Sequence, residues 1–194
     1  MQADFAVELG AEDETLEMPW AAEDGSLRYY DLKRHPELLS KVEEAGRVPE
    51  LGAFLLKVNS PLSPVETAKC DFWSSAEINP DEEIFEATHK FGSYVDLFFS
   101  DEAKRFSFSE HEQLAKRLIE LLRRAPEMPA AAEFLIRRCY YHDPEEAPGE
   151  EQIRDGFYFT FYLFGYGNDE IRSRQQWVIA LKLIQSAIRQ LSAT

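Results

Sequence analysis

The chain has 194 residues, 44% hydrophobic and 13% aromatic, with a formal net charge of −15 and a pI near 4.7. That length suits a single domain, and the apolar fraction is enough to build a core rather than a disordered polymer. So much negative charge repels phosphate backbones and anionic headgroups, which argues against nucleic acid and membrane surfaces as partners.

Residues 1–24 carry eight acidic side chains and no lysine or arginine. Phe5, Val7 and Leu9 alternate, as do Leu16, Met18 and Trp20, and Pro19 limits the second run to an edge or an extended arm. This stretch is expected to be an acidic arm pinned by Trp20. Asp24-Gly25 is a turn signal. Pro36 opens a short helix with Leu38, Leu39 and Val42 on its apolar face and Gly46 at its stop, and Pro49 opens a second with Leu51, Phe54, Leu55 and Val58. The linker-like segment Ser60-Pro-Leu-Ser-Pro64 is the expected boundary. It separates residues 1–60, an N-terminal acidic arm and two short helices packed on the main domain, from a main domain of residues 61–194.

From residue 65 the period changes to two, and strands are expected near 66–74, 92–100, 133–142 and 156–165. The strongest is Gly156 to Phe164, aromatic or β-branched at nearly every position and stopped by Gly165 and Gly167. Helices are expected near 109–124 and 169–191. The first begins with a capping box, Ser109 to Glu112, which leaves His111 as a solvated first-turn residue. Asn168 or Asp169 caps the second, whose apolar line runs Val178, Leu181, Ile184, Ile188 and Leu191.

The order reads strand–strand–helix twice. Lys69-Cys70 matches Arg138-Cys139, and Gly92-x-Tyr94 matches Gly156-x-Tyr158, the pattern of an internal repeat or of two units with the same packing task. The expected fold is α+β: a four-stranded, mainly antiparallel sheet of ββαββα order with two long helices on one face, plus an N-terminal extension with two short helices. Alternation places Val95, Leu97, Phe99, Phe157, Phe159, Phe161 and Leu163 under the helices. Tyr94, Asp96, Phe98, Tyr158, Thr160, Tyr162 and Phe164 then share the opposite face.

Chemistry-bearing motifs are sparse. The four histidines, His35, His89, His111 and His142, form no metal-ligand spacing, and no nucleophile elbow, phosphate loop or dinucleotide fingerprint is present. No cofactor or metal is expected. Cys70 and Cys139 read as buried free thiols, and neither a membrane span nor a signal peptide is visible, so a reducing cytoplasm is the expected compartment. Asp96 stands mid-strand among aromatics and needs a partner from Lys69, Arg137 or Arg138. The candidate ligand or interface residues are Tyr94, Asp96, Phe98, Tyr158, Thr160, Tyr162, Arg138 and His142. The leading expectation is a non-catalytic binding or assembly module whose aromatic sheet face meets a second copy, as a dimer, or another protein. The alternative is a small-molecule-binding or enzymatic domain with a pocket between that face and the N-terminal helices.

Overall fold

The computed structural model describes residues 1–78, 85–142 and 153–191. The acidic connection from Asn79 and the loop from Asp143 lie outside the described residues. In chain order the elements are β1 (Gln2–Glu8), β2 (Thr15–Met18), a 3-10 turn (Pro36–Lys41), α1 (Glu43–Arg47), α2 (Pro49–Val58), β3 (Val65–Ser75) and β4 (His89–Phe99). There follow α3 (Glu102–Arg105), α4 (Phe108–Leu122), β5 (Ala130–His142), β6 (Ile153–Gly167) and α5 (Glu170–Leu191).

The sheet is six-stranded and mixed rather than four-stranded. Its order is β1-β5-β6-β4-β3, with β2 also on β5. The four expected strands pair antiparallel through β3–β4, β4–β6 and β5–β6. The two additions come from the acidic arm and run parallel to β5: β1 covers Ala131 to Arg137, and β2 covers Arg138 to Tyr141. An apolar strand such as Phe134-Leu135-Ile136 cannot leave its edge open without inviting foreign strands, and the arm closes it.

The helices α4 and α5 share one core with the odd-numbered face of β4 and β6, including Val95, Leu97, Phe159, Phe161 and Leu163. The helix α2 joins the same core, with Phe54 edge-on to Phe161 at 5.6 Å. Its end is tied to β3 by buried Asn59, whose amide nitrogen donates to Leu55 O and Thr67 Oγ1 while its oxygen accepts from Thr67 N.

Several local expectations shift. The expected cap is corrected: Ser107 rather than Ser109 is the N-cap and accepts from Glu110 N, so α4 starts two residues earlier. His111 then faces inward, fully buried among Phe99, Phe157 and Phe159, with Nδ1 donating to Ser107 O at 2.9 Å. Burial holds its pKa below the ordinary histidine value. The first short helix divides into the 3-10 turn and α1, and β6 continues through Gly165 to Gly167. At Gly165 a Cβ would collide with the Trp177 amide nitrogen and the Ser173 carbonyl, so only glycine lets α5 lie so close to the strand. The matched cysteines fall on different sides. A bulge between Thr67 and Cys70 shifts the register of β3, and Cys70 packs toward the helix-side core while Cys139 packs on the other face.

Leu118 and Leu181 are buried in the helix-side core, and Glu12 is exposed. Replacing either leucine with alanine is expected to cost about 2–5 kcal/mol. Glu12→Gln should cost about 0.5 kcal/mol or less. Urea melts of the three variants check the order.

Candidate functional site

The face turned away from the helices is built by even-numbered residues of β4 and β6 and odd-numbered residues of β5. Asp96 stands opposite Thr160, Tyr94 opposite Tyr162, and Arg137 opposite Tyr158. Asp96 is only 2% exposed. Thr160 Oγ1 donates to its Oδ1 at 2.6 Å, and Arg137 Nη1 donates to Thr160 Oγ1 at 3.3 Å. Arg137 also holds Glu8 through Nε at 2.8 Å and Glu14 through Nη1 at 3.0 Å. Burial raises the Asp96 pKa to about 7; the Thr160 hydrogen bond opposes this and the Glu14 charge adds to it. Burial is the largest single influence and works against the Arg137 charge, but the Glu8 hydrogen bond together with the Glu8 charge and the Tyr158 and Tyr162 hydroxyls hold the guanidinium above its ordinary pKa. The Tyr158 hydroxyl is buried beside Thr160 but closes no hydrogen bond among the described residues.

Part of this face is covered by the chain's own N-terminal segment. From the β5 edge, residues 16–33 cross the sheet as a strap. Leu16 and Met18 bury against Phe98, Cys139, Tyr141 and Tyr158. Trp20 Nε1 donates to Ala68 O on β3, and Tyr29 meets Phe98 edge-on at 6.0 Å. The strap doubles back at the expected Asp24-Gly25 turn, where Gly25 adopts φ +69° and Asp24 accepts from Ser26. Lys33 Nζ anchors its far end on Ser63 O and Ser100 Oγ.

Beyond the strap lies an aromatic strip. Trp73, Tyr94, Tyr162 and Phe164 are half-buried, with ring centres 5.9–6.5 Å apart. The Trp73 indole lies flat across Gly92, where a Cβ would fall 2.6 Å from the ring. Lys90 Nζ sits 5.8 Å from the Phe164 ring centre.

The sequence-derived candidates therefore separate into three groups. Asp96 and Thr160 are bonded to each other in the buried network. Phe98 and Tyr158 lie under the strap, and Tyr94 and Tyr162 lie in the open strip. Arg138 is on the other side of the sheet, opposite Phe157, so Arg137 is the arginine that reaches Thr160. His142 sits at the end of β5, 3.5 Å from Glu17 and away from Asp96's network. Glu8, Glu14 and Trp73 were missing from the candidates, and Arg137 was named only as a possible partner of Asp96. The acidic alternation of the arm was a signal for the glutamates, but only the parallel register brings them to Arg137.

Two clefts flank the strap. One, of about 330 Å³, lies between the strap, Phe98, α3 and Tyr141; the other, of about 320 Å³, lies between Trp20, α1 and Tyr94. Asp96 lines neither, so its raised pKa serves no group that a ligand there would present. No cluster of three or more His, Cys, Asp or Glu suited to a metal occurs among the described residues. Burial raises the pKa of both thiols, that of Cys139 to about 12, the opposite of activation. No family model, curated protein or solved structure matches the chain.

Asp96 also makes a pH prediction. Its folded pKa lies above the ordinary value near 3.9, so its stabilising protonation is complete below that value and lost as pH rises through about 7. Between pH 5 and 8 the wild type should lose on the order of 2 kcal/mol more stability than Asp96→Asn. Urea melts of both proteins across that range check the difference, which also cancels the contribution of His111.

Proposed function

We propose that this chain is a non-catalytic binding or assembly module whose contact surface is the aromatic strip, with a second copy of the chain as the partner. The observation that carries the reading is the half-buried run Trp73, Tyr94, Tyr162 and Phe164, on a part of the face that the strap cluster does not include among the described residues. Tyrosine, tryptophan and phenylalanine are the residues enriched at the centres of protein contacts. Charge of both signs borders the strip: Lys90 sits over Phe164, and exposed Asp71 and Glu133 stand opposite Tyr94 and Tyr162. The free thiols of Cys70 and Cys139 suit a reducing cytoplasm. The matched order of β3–β4–α4 and β5–β6–α5 supports reading the core as a duplicated ββαββα unit.

A second reading, a small-molecule site between the sheet face and the N-terminal segments, is favoured by the two clefts. Its enzymatic form lacks support, because the carboxylate with the raised pKa is sealed away from both.

Tyr158 is buried beneath Leu16 and Met18, so the surface is best probed at Tyr162 and Phe164. Changing both to lysine should convert a dimer to a monomer in sedimentation velocity, because desolvating two new charges opposes the contact. Far-UV circular dichroism should stay largely unchanged. A wild-type protein that sediments as a monomer at tens of micromolar would rule out self-association and leave the cleft reading in front.

A further inference from the structure

The cleft between the strap and α3 has a charge arrangement of its own. Three carboxylates and three guanidiniums line it. Asp31 pairs with Arg34 at 3.6 Å, and Glu102 pairs with Arg154. His142, also in the wall, has its Nε2 3.5 Å from Glu17 and closes no hydrogen bond among the described residues. That leaves Arg105 and Glu66, which join no ion pair with each other or with any other described residue.

Both are held in place. Arg105 Nε donates to Phe99 O at 2.7 Å, and its guanidinium carbon lies 4.7 Å from the Phe98 ring centre and 5.6 Å from that of Tyr141. One edge of the fork is thus committed to the backbone and its faces to aromatic rings, while the terminal nitrogens are left without a protein acceptor among the described residues. Glu66 is fixed by β3, opposite Phe98. The nearby ammonium of Lys33 is spent on Ser63 O at 2.7 Å and Ser100 Oγ at 2.6 Å. The Glu66 charge still reaches across the cleft, where it adds to the raised pKa of Tyr29 and Tyr141, which is due first to burial.

We infer that this cleft receives a small zwitterion, a molecule with a carboxylate for Arg105, an ammonium for Glu66 and a compact apolar body for the Phe98, Tyr29 and Tyr141 walls. A guanidinium with two free N–H groups in a fixed plane is matched to a carboxylate, and both partners gain when water is excluded. A plain anion would bring Glu66 no cation of its own, and a plain cation would bring Arg105 no anion. A volume of about 330 Å³ is at the small end of ligand sites, which suits a molecule of amino-acid size. The cleft shares no residue with the aromatic strip, so it stands whether or not the chain self-associates.

Calorimetric titration of the full chain with L-phenylalanine, hydrocinnamate and phenethylamine tests the inference. The second probe lacks the ammonium and the third lacks the carboxylate. Phenylalanine should bind, and each single-charge analogue should bind at least about tenfold more weakly, the loss expected when a charge-assisted contact is removed. Arg105→Gln should abolish the preference for phenylalanine over phenethylamine. Glu66→Gln should abolish its preference over hydrocinnamate. The paired lysine changes in the strip should leave phenylalanine binding unaltered. Circular dichroism reports whether each variant is folded, and the three-probe comparison on the wild type needs no variant. No binding by any probe, hydrocinnamate or phenethylamine binding as tightly as phenylalanine, or phenylalanine binding unchanged in both folded variants would overturn the inference.

Discussion

The guanidinium of Arg137 is the interaction on which the organisation of this molecule depends. It is 8% exposed and reaches Glu8 at the end of β1, Glu14 just ahead of β2, and Thr160 on β6. Through Thr160 it is linked to Asp96 on β4. The edge of the sheet is broken at residues 9–14, where the chain leaves β5 and returns, and Arg137 stands at that break. The segment carries Glu12, Asp13 and Glu14 in a protein already strongly negative, so its return to the sheet needs a cation at the point of re-entry. A buried guanidinium left without its carboxylates would be costly, so the partners hold each other.

That closure determines what the sheet presents to solvent. Because β2 re-enters on β5, the following residues are delivered to the open face and cross it to β3, sealing Phe98 and Tyr158. A single segment thereby divides the face into a closed region, an aromatic strip and two flanking clefts. The Asp96–Thr160 pair lies in the closed region. Its chemistry is that of a buried polar network that couples strands and makes stability depend on pH, rather than that of a reagent. Among the described residues, the strip and the clefts keep rings and charges at the surface.

The opposite layer has a different logic. There the contact is apolar, and the close approach of α5 to β6 rests on the absent side chain of Gly165. His111 shows how such a core absorbs a polar group: Nδ1 is satisfied by the Ser107 carbonyl within its own helix, and the ring packs against three phenylalanines.

Local periodicity was enough to place the four central strands, the two long helices and the sides of β4 and β6, because the alternation of a strand and the repeat of a helix are properties of a few consecutive residues. Alternation placed Asp96 on the aromatic face, and in the arm it showed two alternating runs but not that they join the sheet. Partnership and register are different quantities, set by contacts between residues more than a hundred positions apart. Nothing near residue 137 distinguishes Arg137 from Arg138; the pairing of β5 with β6 turns one toward Thr160 and the other toward the helices. The capping box read at Ser109 gave way to a cap at Ser107, and the room for His111 among Phe99, Phe157 and Phe159 goes with that earlier start. The parallel docking of β1 and β2, the strap that follows, and the meeting of Arg105 with Glu66 in one cleft were decided only by the tertiary structure, because each depends on which distant edge a short segment finds unpaired.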